Sequence, residues 1–246
     1  MLTMQFDVAE TAGNGLAPDV MIDVSGLSKS FTIHAQAAMQ IAALRAVSFQ
    51  LRAGECVALT GPSGAGKSTL LRCIYGNYLA TCGTISIRDR KRGAVTVTGA
   101  DPRDIIALRK DTIGYVSQFL RAIPRVGAQA LVASSLVELG EKKEAAMRHA
   151  AELLERLAIP QKLWALPPAT FSGGEQQRIN IARGLIADHP ILLLDEPTAS
   201  LDAANSAIVS ELILERRNKG TAIMGIFHDE ETRDRVATRL FPLQAA

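Results

Sequence analysis

Two stretches hold residues whose types and spacing could handle a phosphorylated ligand: Gly61-Pro62-Ser63-Gly64-Ala65-Gly66-Lys67-Ser68-Thr69 and Ile191-Leu192-Leu193-Leu194-Asp195-Glu196-Pro197. The first follows G-x-x-x-x-G-K-[ST], in which glycines let successive backbone N–H groups curl round a phosphate with no Cβ in the way. Lys67 adds a positive charge for the β and γ phosphates, and Ser68 or its neighbour Thr69 offers a hydroxyl to Mg2+. The second is an apolar run ending in two carboxylates, which places Asp195 and Glu196 at the carboxyl end of a core strand, where open α/β sheets hold their ligands. Asp195 is expected to bind Mg2+ through water. Glu196 is placed to orient and deprotonate a water that attacks the γ-phosphate. The bland alternative is that one of the pair caps the turn at Pro197.

A second glycine-rich helix start lies between them, in Phe171-Ser172-Gly173-Gly174-Glu175-Gln176-Gln177-Arg178. Ser172 with Gly173 and Gly174 combines a cap hydroxyl with unobstructed N–H groups, another arrangement suited to an anion. An ordinary N-cap is the competing reading. One chain thus holds two phosphate-recognising ends, where an enzyme acting on a single bound nucleotide needs one.

The elements that must position these residues can be read from periodicity. Val20 to Val24, Phe31 to His34 and Leu44 to Leu51 look like short strands, and Cys56 to Thr60 is a fully apolar strand feeding the glycine loop, with a helix over Lys67 to Tyr75 after it. Thr84 to Arg88 and Ala94 to Thr98 flank a basic turn as a hairpin. From Val126 to about Leu157 the chain is expected to be helical, with Met147, Ala150, Leu154 and Leu157 as an apolar stripe. Strands return at Ile191 to Asp195 and Thr221 to Phe227, around a helix from Ala203 to Lys219, and that alternation implies a mostly parallel sheet. Residues 1–19 suit a flexible tail, and residues 119–171, extended to 187 by the helix after Ser172, a helical subdomain.

Composition narrows the function classes. The 246 residues include 27 Lys plus Arg against 25 Asp plus Glu, so a net charge of +2 gives no argument for nucleic acid or an anionic membrane. The dense basic cluster, Arg88, Arg90, Lys91 and Arg92, reads as a solvated hairpin tip. No apolar run approaches the ~18 residues that cross a bilayer, so direct membrane insertion is not expected. Lys and Arg are absent before Lys29, which argues against a secretory or transit leader and points to the cytoplasm. Cys56, Cys73 and Cys82 lack metal or disulfide spacing and read as packing residues.

From about residue 20 to 240 the sequence resembles the ATP-binding cassette (ABC) ATPase family. Phe171 to Gln176 matches the family's signature motif, with Phe171 where Leu is usual and Glu175 where Gln is usual, and Ala199-Ser200-Leu201-Asp202 matches its D-loop. The resemblance implies a P-loop NTPase fold of the ABC type, with a mostly parallel core sheet, an antiparallel β subdomain and a helical subdomain. It implies that Gln118, 51 residues after Lys67, contacts Mg2+ and the attacking water. His228, 33 residues after Asp195, is implied to hold the γ-phosphate, and Phe31 to stack on adenine, although a core aromatic is nearly as apt at Phe31. Asn218-Lys219-Gly220-Thr221 lacks the Asp of a guanine-reading motif, so ATP is favoured over GTP. The family pattern further implies that Ser172, Gly173, Gly174 and Glu175, with Asp202, meet ATP held by a second ABC subunit in a homodimer or heterodimer.

Four other stretches, Cys73 to Tyr78, Gly114 to Val126, Trp164 to Ser172 and Gly225 to Glu231, resemble an ABC subunit of the bacterial carbon–phosphorus lyase system. That resemblance implies phosphonate catabolism on a soluble multisubunit core, in the formation of ribose 1-methylphosphonate 5-triphosphate from ATP and methylphosphonate. The alternative is the motor of a transporter with a separate membrane permease. A chromosome or DNA-repair ATPase is disfavoured by the 53 residues between Gln118 and Ser172, too few for a long coiled coil, and a translation-factor ATPase by the single cassette.

Overall fold

Ile191–Asp195 is buried at every position, as a strand covered on both faces must be, and it forms β7 near the middle of a five-stranded sheet. The computed structural model describes residues 16–33, 39–120 and 123–246. The sheet runs β6 (Ile113–Val116), β7, β8 (Ala222–Ile226), β3 (Cys56–Thr60), β9 (Arg239–Pro242), with every neighbouring pair parallel. Because the strands are parallel, their carboxyl ends share one edge. Crossing that edge in order gives the segment leading to Gln118, then Asp195 and Glu196, then His228, then the glycine loop.

A second sheet is antiparallel, in the order β2 (Met39–Arg52), β1 (Val20–Ile33), β4 (Cys82–Asp89), β5 (Gly93–Thr96). Its inner residues Ile22, Val24, Leu27 and Ile85 share one core with Val57 and Leu59 of β3 and with Leu70, Leu71 and Ile74 of α1 (Lys67–Ile74). The helical part packs on the opposite face of the parallel sheet. There α3 (Ala128–Glu138), α4 (Lys143–Arg156) and α5 (Gly173–Leu185) close a second core with Leu192 and Leu194. The two faces follow from the period of two along β7, which sends Ile191 and Leu193 one way and Leu192 and Leu194 the other.

Several expectations need correction. The first two strand segments are one bulged strand, β1, whose pairing with β2 shifts register around Gly26 at φ +60°; His34 lies outside the described residues. The helix expected from Val126 to Leu157 is broken into α3 and α4 at Gly140, where φ is +98° and the Glu141 amide donates to the Leu136 carbonyl. The expected stripe is right in its buried members, Ala150 and Leu154 on α4 and Leu157 at its C-cap. Four elements had no counterpart in the expected strands and helices: α2 (Pro102–Asp111), β6, α7 (Glu230–Val236) and β9, with α6 (Ala203–Asn218) completing the helices. Cys56 and Cys73 are buried, and burial pushes their thiols up to about 12 and about 11, but Cys82 is exposed.

The basic hairpin tip is not simply solvated. Arg88 donates to the carbonyls of Leu16, Ala17 and Val20, Lys91 pairs with Asp111, and Arg92 with Asp89 and Asp104. Leu16 to Asp19 are therefore tied down, while residues 1–15 of the expected tail lie outside the described residues.

Candidate nucleotide site

The glycine loop leaves β3 and enters α1 with no side chain capping the helix start. Gly66, the N-cap, has φ +89°, and a Cβ there would run into the Ala43 carbonyl oxygen, so glycine is required by both backbone and space. The amides of the first turn thus face an anion site without a built-in acceptor. Lys67 Nζ donates to the carbonyls of Gly61 and Pro62 at 2.8 and 2.9 Å, folded back over its own loop. Gly61, Ser63, Gly64, Ala65, Gly66, Lys67, Ser68 and Thr69 line a cavity of about 560 Å3 that Glu196 and His228 also border.

Of the two candidate hydroxyls, Ser68 is the one that meets a carboxylate: its Oγ donates to Asp195 Oδ1 at 2.9 Å. Tyr115 donates its phenol to Asp195 Oδ2 at 3.1 Å, and burial together with the Asp195 charge holds that phenol well above the usual tyrosine range. A hydroxyl and a carboxylate side by side suit a hard divalent cation. Among the described residues no three His, Cys, Asp or Glu cluster as a metal cage, so such a cation would complete its shell from phosphate oxygens and water. The donor set and the Cβ-free cradle therefore fit a magnesium nucleotide.

Glu196 follows with φ +55°, a costly backbone for a residue with a Cβ, and its amide donates to the Ile226 carbonyl of β8. Gln118 Nε2 donates to its Oε2 at 2.9 Å, and His228 Nε2 lies 2.8 Å from its Oε1. Residues from the ends of three strands, up to 110 positions apart, thus converge on the Glu196 carboxylate; Glu196 and His228 border the cavity and Gln118 does not.

The remaining candidates sit elsewhere. Ser172 caps α5 in a reciprocal box: its Oγ accepts from the Glu175 amide at 3.3 Å and donates to Glu175 Oε2 at 2.7 Å, while its own amide donates to the same oxygen at 2.9 Å. Ser172 holds the Glu175 carboxyl below the usual glutamate range. Ser172, Gly173, Gly174 and Glu175 do not border the glycine-loop cavity. Asp202 caps α6, accepting from the Asn205 amide at 2.8 Å, and Arg178 reaches the same Asn205. Phe31 also stays outside the cavity: its ring meets Tyr78 edge-on at 5.2 Å, with Lys29 Nζ 4.8 Å from its centre.

Reading the sequence missed two contacts of α5. Gln177 Nε2 donates to the Pro197 carbonyl at 3.0 Å, and Asn180 donates to the carbonyl of Ser117, next to Gln118. Tyr115 was missed as well, although a tyrosine in a short core strand is a residue whose hydroxyl must find a partner.

Residues 44–199 match the family model described as ABC transporter. The ATP-binding protein LolD of the lipoprotein-releasing system of Alcanivorax borkumensis is 36% identical over 193 residues, covering 78% of this chain and 82% of LolD. The chain belongs to the ABC transporter family. The Bacillus subtilis ABC transporter ATP-binding protein YtrE is 35% identical to this cassette over 86% of the chain and 90% of YtrE. The macrolide export ATP-binding/permease protein MacB of Salmonella typhi is 31% identical over 85% of the chain, which spans 31% of MacB. The fold matches a solved dimeric structure of the ATP-binding cassette MJ0796 bound to ADP and Pi with a TM-score of 0.83 and 28% identity, over 92% of this chain and 95% of that one.

These relatives overturn the expectation of a carbon–phosphorus lyase subunit on a soluble phosphonate-processing core. They are ATP-binding proteins of transport systems. The stretches that suggested the lyase carry no phosphonate chemistry of their own, and segments outside the shared motifs have no transferable partner code. Among the described residues no helix is long and apolar enough to cross a membrane.

Proposed function

We propose that this cassette is the ATP-hydrolysing motor subunit of a transporter and works with a separate membrane permease. The convergence of Gln118 and His228 on the Glu196 carboxylate, which borders the glycine-loop cavity, carries the hydrolytic part of the reading. Glu196 is the base for the attacking water, and Gln118 and His228 set the direction of its two oxygens. The glycine-loop amides and Lys67 hold the β and γ phosphates, with Lys67 exchanging two loop carbonyls for phosphate oxygens. Ser68 and Asp195 hold Mg2+, which when bound neutralises charge on the phosphate oxygens.

The signature end supports a second cassette, either another copy or a sibling chain. Ser172 and Gly174 lie outside the chain's own cavity, and we infer that they close on nucleotide held by the other subunit, as two-fold pairing allows. The names of the relatives support the transport assignment.

Affinity capture of the tagged chain from detergent-treated membranes tests the reading, run beside capture of Glu196→Gln. A companion with membrane-spanning helices is expected with both forms. Glu196→Gln should retain ATP but release phosphate about 10^2 to 10^4-fold more slowly. Capture of soluble companions alone would overturn the transport assignment, and undiminished turnover would remove Glu196 from its role.

A further inference from the structure

We propose that Tyr115 is a positioning residue for Asp195 and, through it, for the divalent cation at the glycine loop; this rests on the nucleotide reading above. The placement begins with strand register. In the parallel pair of β6 and β7, Tyr115 stands opposite Leu193, so Asp195 is its diagonal neighbour on the same face. The phenol spans that diagonal and donates to Oδ2 at 3.1 Å, while Ser68 donates to Oδ1 at 2.9 Å.

Each oxygen of Asp195 therefore has its own donor. The terminal torsion of an aspartate is broad, so one donor alone leaves the carboxylate plane free to turn. Ser68 can keep donating while a lone pair of the same oxygen takes the cation, but it holds only Oδ1 and leaves the other oxygen to a second donor. The tyrosine is the better post. Its ring stacks on Tyr75, the C-cap of α1, with centroids 4.7 Å apart, and the Arg109 guanidinium of α2 lies 4.5 Å from the centre of the Tyr75 ring, so the phenol of β6 is held by side chains from two further segments. Asp195 is 1% exposed, so water does not readily replace a missing donor. Phenylalanine would preserve the stack and leave Oδ2 without its partner.

The test is uptake of Mn2+ by the full chain saturated with ADP, followed through the paramagnetic resonance of the ion, with ADP affinity in EDTA and thermal melting measured alongside. Tyr115→Phe should melt cooperatively and bind ADP without metal as the unchanged protein does. Its Mn2+ half-saturation should rise about ten-fold, roughly 1.4 kcal/mol. In an Asp195→Ala background the same substitution should add nothing, since the residue it acts through is gone. A Mn2+ half-saturation within about two-fold of the unchanged protein, or an equal loss in both backgrounds, would overturn the assignment while leaving the nucleotide reading in place. Failure of the unchanged protein to take up Mn2+ with ADP would overturn both.

Discussion

The two glycine-rich helix starts of this cassette solve the same electrostatic problem in opposite ways. Every α-helix begins with unpaired amides and a partial positive charge. At α5 the chain supplies its own anion: Glu175 folds back onto Ser172, and the capping box satisfies donors from within. At α1 no side chain caps the start, and Lys67 adds more positive charge while its ammonium rests on two loop carbonyls. The first arrangement is electrically closed and the second is open. An open helix start asks for an external anion even in a single chain, whereas a closed one must first give up an internal bond.

The sharpest test of that contrast is nucleotide binding by a single cassette. Lys67→Ala should weaken ATP binding by about 100-fold, the loss of charge-assisted hydrogen bonds worth roughly 2.7 kcal/mol. Ser172→Ala should leave the same affinity unchanged in dilute protein. Equal losses in equilibrium titrations would erase the distinction between the two ends.

A smaller effect separates them by stability. Gly66→Ala places a Cβ against the Ala43 carbonyl at φ +89° and is expected to cost at least ~2 kcal/mol in denaturant unfolding. Ser172→Ala should cost about 1 kcal/mol, as loss of an N-cap does. A Gly66→Ala protein as stable as the original would mean that the loop does not hold this backbone.

The smallest effect is a pH response confined to α5. Because Ser172 holds the Glu175 carboxyl below its ordinary range, the box contributes stability above the unfolded-state value and loses it as pH falls through the lowered one. Amide exchange at the start of α5 should therefore speed up in acid. Glu175→Gln should abolish that acceleration, and its persistence would assign the effect to another group.

What the sequence disclosed follows the range of the interactions. The glycine loop, its flanking strand and helix, and the Asp195-Glu196 strand end were legible because each is a short run whose chemistry is local. The continuity of β1 was not, since it depends on bulged pairing with β2 rather than on its own alternation. The helix α2 begins at an Asp-Pro step, with Asp101 accepting from the Arg103 amide, a start signal that was present and passed over. The bond from Tyr115 to Asp195 joins residues 80 positions apart, and only the sheet order makes them neighbours. Glu175 looked like a minor departure from a motif, yet in three dimensions it is half of a capping box.

Helix α5 also bridges two arms of the candidate site. Near its first turns Gln177 grips the Pro197 carbonyl, directly after Glu196, and one turn further Asn180 grips the strand exit that leads to Gln118. Ser172, at the start of the same helix, is thus joined through α5 to the segments that carry both Glu196 and Gln118.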